Sequence, residues 1–141
     1  MRLAPIFLIL LLFLSLSCGK ENQPDIPYVY VYKELYPNSL DYIPIGGYIY
    51  VNAGYRGIVV YRLLQDEFRV YERCCPYDPE NPNARIIVNS DNSTAIDTCC
   101  NSQYSLVLDG TPFGDGPSPY SLVSYYYNYD SYSEKLTIYS N

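Results

Sequence analysis

From Tyr28 onward, apolar and aromatic residues recur at every second position, and no window long enough for a core helix places them at i, i+3, i+4 and i+7. A period of two belongs to a strand with one face turned inward, so the region is expected to be all-β. Runs rich in aromatic and β-branched residues predict strands at Tyr28-Tyr32, Tyr48-Asn52, Gly57-Leu63, Glu67-Glu72, Arg85-Asn89, Tyr104-Leu108, Tyr120-Tyr127 and Lys135-Tyr139. Turn residues separate them at Gly46-Gly47, Ala53-Gly54, Gln65-Asp66, Asp109-Gly110, Gly114-Asp115-Gly116-Pro117 and from Asn128 to Ser133. Short strands with closely spaced turns imply a small antiparallel sandwich or barrel. A chain of 141 residues has room for one such domain, placed at 28–141.

Tyrosine takes positions that Val or Leu would hold elsewhere, as in Tyr28-Val29-Tyr30-Val31-Tyr32 and Tyr125-Tyr126-Tyr127, and the chain has 19 of them. A tyrosine can bury its ring and keep its hydroxyl wet. These strands therefore read either as half-buried sheet or as a surface for a protein or glycan partner. The net charge is -6, which disfavours nucleic acid and anionic headgroups. There is no histidine, so the commonest general base, metal ligand and neutral-pH switch are all excluded.

Met1-Arg2 followed by the apolar run from Leu3 to Leu16 has the form of a secretory signal, too short to span a membrane. The run ends in Ser15-Leu16-Ser17-Cys18 and resembles a bacterial lipobox, which makes Cys18 the acylated first residue of the mature chain. Residues 1–17 are then the signal peptide, and 18–27, polar and containing Pro24 and Pro27, a flexible tether. The protein is expected to be exported and held by its lipid at the periplasm or outer membrane.

The other four cysteines form two adjacent pairs, Cys74-Cys75 and Cys99-Cys100. In an oxidising compartment an even number of thiols is expected to pair. A four-thiolate metal site from Cys74, Cys75, Cys99 and Cys100 is the alternative. However, neighbouring side chains in extended chain point to opposite sides, so at most one sulfur of each pair faces a common centre without tight turns. A thiol-disulfide enzyme would need a thiol of depressed pKa, and Arg73 is the only adjacent cation.

The second half also has a recognisable order. A strand ends in Cys75-Pro76-Tyr77, an irregular stretch follows, and then come Asp97-Thr98-Cys99-Cys100-Asn101-Ser102-Gln103-Tyr104, Asp109-Gly110 and Gly116-Pro117-Ser118, with Leu122 and Tyr125 beyond. From about Tyr48 to Asn141 this resembles the Rieske ferredoxin domain, whose pattern is Cys-x-His, a spacer, Cys-x-x-His-Gly-Ser-x-Phe, a Gly, and a Gly-Pro-Ala turn. It is most similar to divergent Rieske-like lipoproteins of Bacteroidetes. The resemblance assigns the cluster-ligand positions to Cys75, Tyr77, Asp97 and Cys100. Tyr77 and Cys100 stand where the family has histidines, and Asp97 stands where it has a cysteine. Cys99 matches one half of an inter-loop disulfide whose other half falls on Glu80.

Two functions follow from this resemblance: a cluster-free, non-enzymatic module crosslinked by disulfides, with no cofactor, or a Rieske-type electron carrier with a 2Fe-2S cluster. For the first, the resemblance implies a Cys75–Cys100 bridge closing a loop of about 26 residues, worth roughly 3.5 kcal/mol on the chain-entropy model. Cys74 and Cys99 could then pair on the opposite side, with swapped or vicinal pairing left open. Asn92-Ser93-Thr94 matches a glycosylation acceptor, and Asp78, Glu80, Asp91 and Asp97 supply carboxylates around the cysteine loops. Neither amounts to an enzyme signature, and solvated loop charges account for the carboxylates.

Overall fold

The computed structural model describes residues 24–140. The expected signal segment 1–17, the expected lipidation site Cys18 and residues 19–23 of the expected tether lie outside the described residues. Ten strands follow one another without a helix among the described residues: β1 (Tyr32–Leu35), β2 (Tyr48–Val51), β3 (Ile58–Leu64), β4 (Glu67–Glu72), β5 (Ile86–Val88), β6 (Thr94–Asp97), β7 (Gln103–Ser105), β8 (Pro112–Phe113), β9 (Tyr126–Asp130) and β10 (Lys135–Tyr139). They form three antiparallel sheets, ordered β1-β10-β9, β2-β3-β4 and β5-β6-β7-β8.

The β2-β3-β4 sheet is the middle layer, because its central strand is apolar on both faces. Along β3, Ile58 and Val60 enter a core with Leu35, Phe68, Val70, Leu136 and Ile138. Val59 and Tyr61, pointing the other way, join Tyr71, Ile86, Ala95, Tyr104, Leu106 and Leu122 in a second core. The first core packs the middle sheet against β1-β10-β9, and the second against β5-β6-β7-β8.

Backbone bonds beyond the strand ends stitch the layers together. Val123 O accepts from Glu72 N (2.8 Å) and Val70 O from Tyr125 N (2.9 Å), so the chain entering β9 runs beside β4. At the other end, Arg73 O accepts from Ile86 N (2.8 Å) and Ala84 O from Cys75 N (3.1 Å). The Cys74-Cys75 segment is thereby fastened to the start of β5.

Several elements differ from the expected strands: Tyr104-Leu108 is strand only to Ser105 before a turn, Tyr120-Tyr127 is strand only from Tyr126, and the short β8 had no expected counterpart. In Tyr28-Tyr32, regular pairing starts only at Tyr32, where β10 offers the partner residues Tyr139 to Leu136. The expected turn from Asn128 to Ser133 is shorter. Asn128 to Asp130 complete β9 opposite Thr137 to Lys135, and the reversal tightens on Asp130, whose carboxylate accepts from Tyr132 N and Ser133 Oγ. Strand β6 had no expected counterpart, since Thr94-Ala95-Ile96-Asp97 is short and flanked by polar turn residues. It forms because Asp91 Oδ1 gathers the amides of Ser93 and Thr94, closing a hairpin onto β5.

The tyrosine-rich runs split by face. Tyr28, Tyr30 and Tyr32 are 71%, 74% and 56% exposed, whereas Val31 between them is 2% exposed. Register then places Tyr32, Tyr139 and Tyr126 side by side across β1, β10 and β9, all three exposed, with the last two rings 5.8 Å apart. Tyr125 and Tyr127 turn inward against the first core.

Candidate functional site

Two loops meet at one end of the β5-β6-β7-β8 sheet. The first follows β4 and carries Cys74 and Cys75, both fully buried. It is clamped by Arg56, whose guanidinium donates to the carbonyls of Pro79 (2.7 Å), Ala84 (3.3 Å) and Asn81. The second is a tight turn between β6 and β7. Asp97 Oδ1 accepts from Cys99 N (2.9 Å), Asp97 O from Asn101 N (2.8 Å) and Ser102 O from Asp97 N (2.9 Å). Asn101 closes this turn in the left-handed region at φ 60°, a conformation asparagine tolerates better than most residues. Its effect is to turn Cys100 inward and leave Cys99 exposed.

Cys75, Asp97 and Cys100 converge as a result. Their ligand atoms all lie within 4.8 Å of one another. Cys75 Sγ is 3.7 Å from Cys100 Sγ, and Cys100 Sγ is 3.3 Å from Asp97 Oδ2. Two hydroxyls line the same spot: Tyr104 Oη at 3.5 Å from Cys75 Sγ and Ser102 Oγ at 3.1 Å from Cys100 Sγ. Ser102 is fixed in turn by the amide of Ser118, which donates to its Oγ at 3.1 Å. Cys75 and Asp97 are fully buried while Cys100 is half-buried, so the group is reached from the Cys100 side.

Burial pushes the Cys75 thiol up to about 12, reinforced by its contact with Asp97, and the Cys74 thiol up to about 11. The Cys99 thiol is also raised, through desolvation and then the neighbouring Asp97 carboxylate. These shifts run opposite to what an attacking thiolate requires. Tyr104 is raised as well, by burial first.

Of the positions singled out in the sequence, the structure brings together Cys75, Asp97 and Cys100. Tyr77, two residues after Cys75, is 47% exposed. Cys74 turns away, its Sγ 3.8 Å from Cys75 O and 3.9 Å from Pro79 O. No pair among the four cysteines of the two loops sits at bonding distance in this structure: Cys75 Sγ and Cys100 Sγ are 3.7 Å apart, against the roughly 2.05 Å of a sulfur–sulfur bond. One sulfur from each pair faces the common centre, so the four-thiolate arrangement does not form.

Glu72 was not legible as a functional or structural centre. Its side chain is fully buried behind Cys74, with Oε1 accepting from Cys74 N and Arg56 N (both 2.9 Å) and Oε2 from Tyr55 N (2.8 Å) and Tyr125 Oη (2.7 Å). In the sequence it is simply a charged residue closing a strand.

No protein-family model matches the chain, and no curated protein matches it. Among the described residues no helix is long and apolar enough to cross a membrane.

Proposed function

We propose that this chain is an exported, lipid-anchored Rieske-like module that carries no iron–sulfur cluster and is crosslinked between its two cysteine loops. The single observation behind this reading is the meeting of Cys75, Asp97 and Cys100, from two separate loops, at three of the four positions that the Rieske resemblance assigns to ligands. A Rieske cluster takes two thiolates on one iron and two imidazoles on the other. This chain has no imidazole at all, its fourth position is an exposed tyrosine, and one thiolate position is a carboxylate. The donor set does not fit the cluster, and no electron-transfer step is derived through one.

Cys75 and Cys100 are the pair placed to close the crosslink, since their sulfurs are already neighbours. Peptide mapping of the exported protein, alkylated without reductant, is expected to yield a Cys75–Cys100 linked peptide. Recovery of all four cysteines as alkylated thiols would contradict it. The exposed row of Tyr32, Tyr139 and Tyr126 is the contact surface in this reading, for a protein or a glycan. Replacing all three by Ser is expected to abolish binding to arrayed glycans or to surface proteins captured by crosslinking, with the fold retained by circular dichroism.

A further inference from the structure

We propose that, in the reduced protein, Cys75, Cys100 and Asp97 form a site for a single thiophilic divalent cation, with zinc as the fitting ion. A tetrahedral ion with metal–sulfur distances of about 2.3 Å and metal–oxygen distances of about 2.1 Å holds two sulfurs about 3.8 Å apart, and a sulfur and an oxygen about 3.6 Å apart. The observed separations are 3.7 Å for Cys75 Sγ to Cys100 Sγ and 3.3 Å for Cys100 Sγ to Asp97 Oδ2. Two edges of the coordination tetrahedron are thus already laid out by the protein.

The surroundings suit such an ion as well. Asp97 uses Oδ1 to accept the Cys99 amide, which orients the carboxylate and leaves Oδ2 turned toward Cys100. Three protein ligands leave a fourth position for water or an exogenous donor, beside the hydroxyls of Ser102 and Tyr104. Two thiolates and a carboxylate favour zinc over magnesium or calcium, which take oxygen ligands. The half-buried Cys100 gives the ion its way in.

Binding breaks two S–H bonds, forms two metal–sulfur bonds and releases two protons to solvent, with no change of oxidation state. The inference rests on the reading above in taking Cys75 and Cys100 as the facing pair. Oxidation of that pair by an exchanging disulfide, which accepts the two electrons and two protons, removes both sulfur ligands. The crosslinked and metal-bound states therefore exclude one another.

Cobalt(II) titration of the reduced full-length chain under anaerobic conditions tests this directly. The expected result is one cobalt per chain, with thiolate charge-transfer absorption in the near ultraviolet, tetrahedral visible bands, and displacement by added zinc. Cys75→Ser and Cys100→Ser should abolish the charge-transfer absorption, and Asp97→Asn should weaken binding about tenfold or more. Cys74→Ser and Cys99→Ser should leave it unchanged, which separates this site from a four-thiolate one. No charge-transfer band in the folded wild-type protein would overturn the inference, as would a band that depends on Cys74 or Cys99. Should Cys75→Ser fail to fold, the wild-type spectrum and the Cys74→Ser and Cys99→Ser variants still decide it. Failure of the cluster-free reading shows up separately, as iron and sulfide in the protein as isolated.

Discussion

The Glu72 carboxylate collects four donors from three stretches of chain, residues 55–56, 74 and 125, and so ties the first cysteine loop to both neighbouring sheets. Glu72→Gln keeps the shape but replaces one acceptor oxygen with an NH2 group. With the NH2 at the Oε2 position the Tyr125 hydroxyl can turn to accept, but the Tyr55 amide is left facing a donor; with the NH2 at the Oε1 position both the Arg56 and Cys74 amides are. Stability is expected to fall by about 3 kcal/mol, read as a lower urea midpoint. None of this was legible in the sequence, because a glutamate at a strand end carries no mark of the amides that will converge on it. The thiols make a second residue-scale prediction. Cys74 and Cys75 titrate higher in the fold than in the unfolded chain, so the folded state holds more protons between the ordinary thiol value and about 11 to 12. Below the ordinary value both states are protonated and nothing is lost; above it stability declines, by up to about 1.4 kcal/mol per pH unit for each thiol. Under reductant, the urea midpoint should therefore fall between pH 9 and about 11 and fall less in a Cys74→Ala variant. A parallel decline in that variant would contradict the shift.

At the level of elements, the Gly116-Pro117-Ser118 turn braces the second cysteine loop. A Cβ built on Gly116 would lie 2.5 Å from Ser102 Cα and 2.9 Å from Asn101 O, so only glycine lets the turn approach this closely. Gly116→Ala should push the Asn101-Ser102 backbone outward and cost on the order of 2 kcal/mol, measurable by urea denaturation. Its spectral counterpart is a shift in the exchange protection of the Asp97 to Ser102 amides. Much of this level is readable in the sequence: eight of the ten strands overlap the expected runs, some by only one or two residues, and Asp109-Gly110 turns as its residue types require, at φ 52° and 67°. The misses share a cause. Alternation marks where a strand could form, whereas pairing partners decide where it starts and stops. Tyr28-Tyr32 had the pattern before β10 supplied a partner, and Asn128 read as a turn residue although it faces outward from a strand opposite Thr137. Adjacent cysteines were read correctly as pointing apart, yet which of each pair turns inward is set by the Asp97 turn and by the contacts of Cys74, not by local sequence.

For the molecule as a whole, the middle sheet buries both its faces, and the two cysteine loops close one end of the outer sheet while the tyrosine row covers the far layer. Site and surface are thus carried by different sheets, so a change at one need not disturb the other. Anchoring is the prediction proper to this scale: Cys18→Ser should move the protein from the membrane to the soluble fraction and remove the acyl mass, and unchanged fractionation would contradict lipidation. In the function proposed above, the Cys75–Asp97–Cys100 group takes the place of an iron–sulfur centre with ligands that do not fit one. The most direct measurement is visible absorption of the exported domain as isolated, with iron and acid-labile sulfide assayed on the same sample. The account predicts a colourless protein without iron or sulfide. Visible absorption with two irons and two sulfides per chain would contradict it.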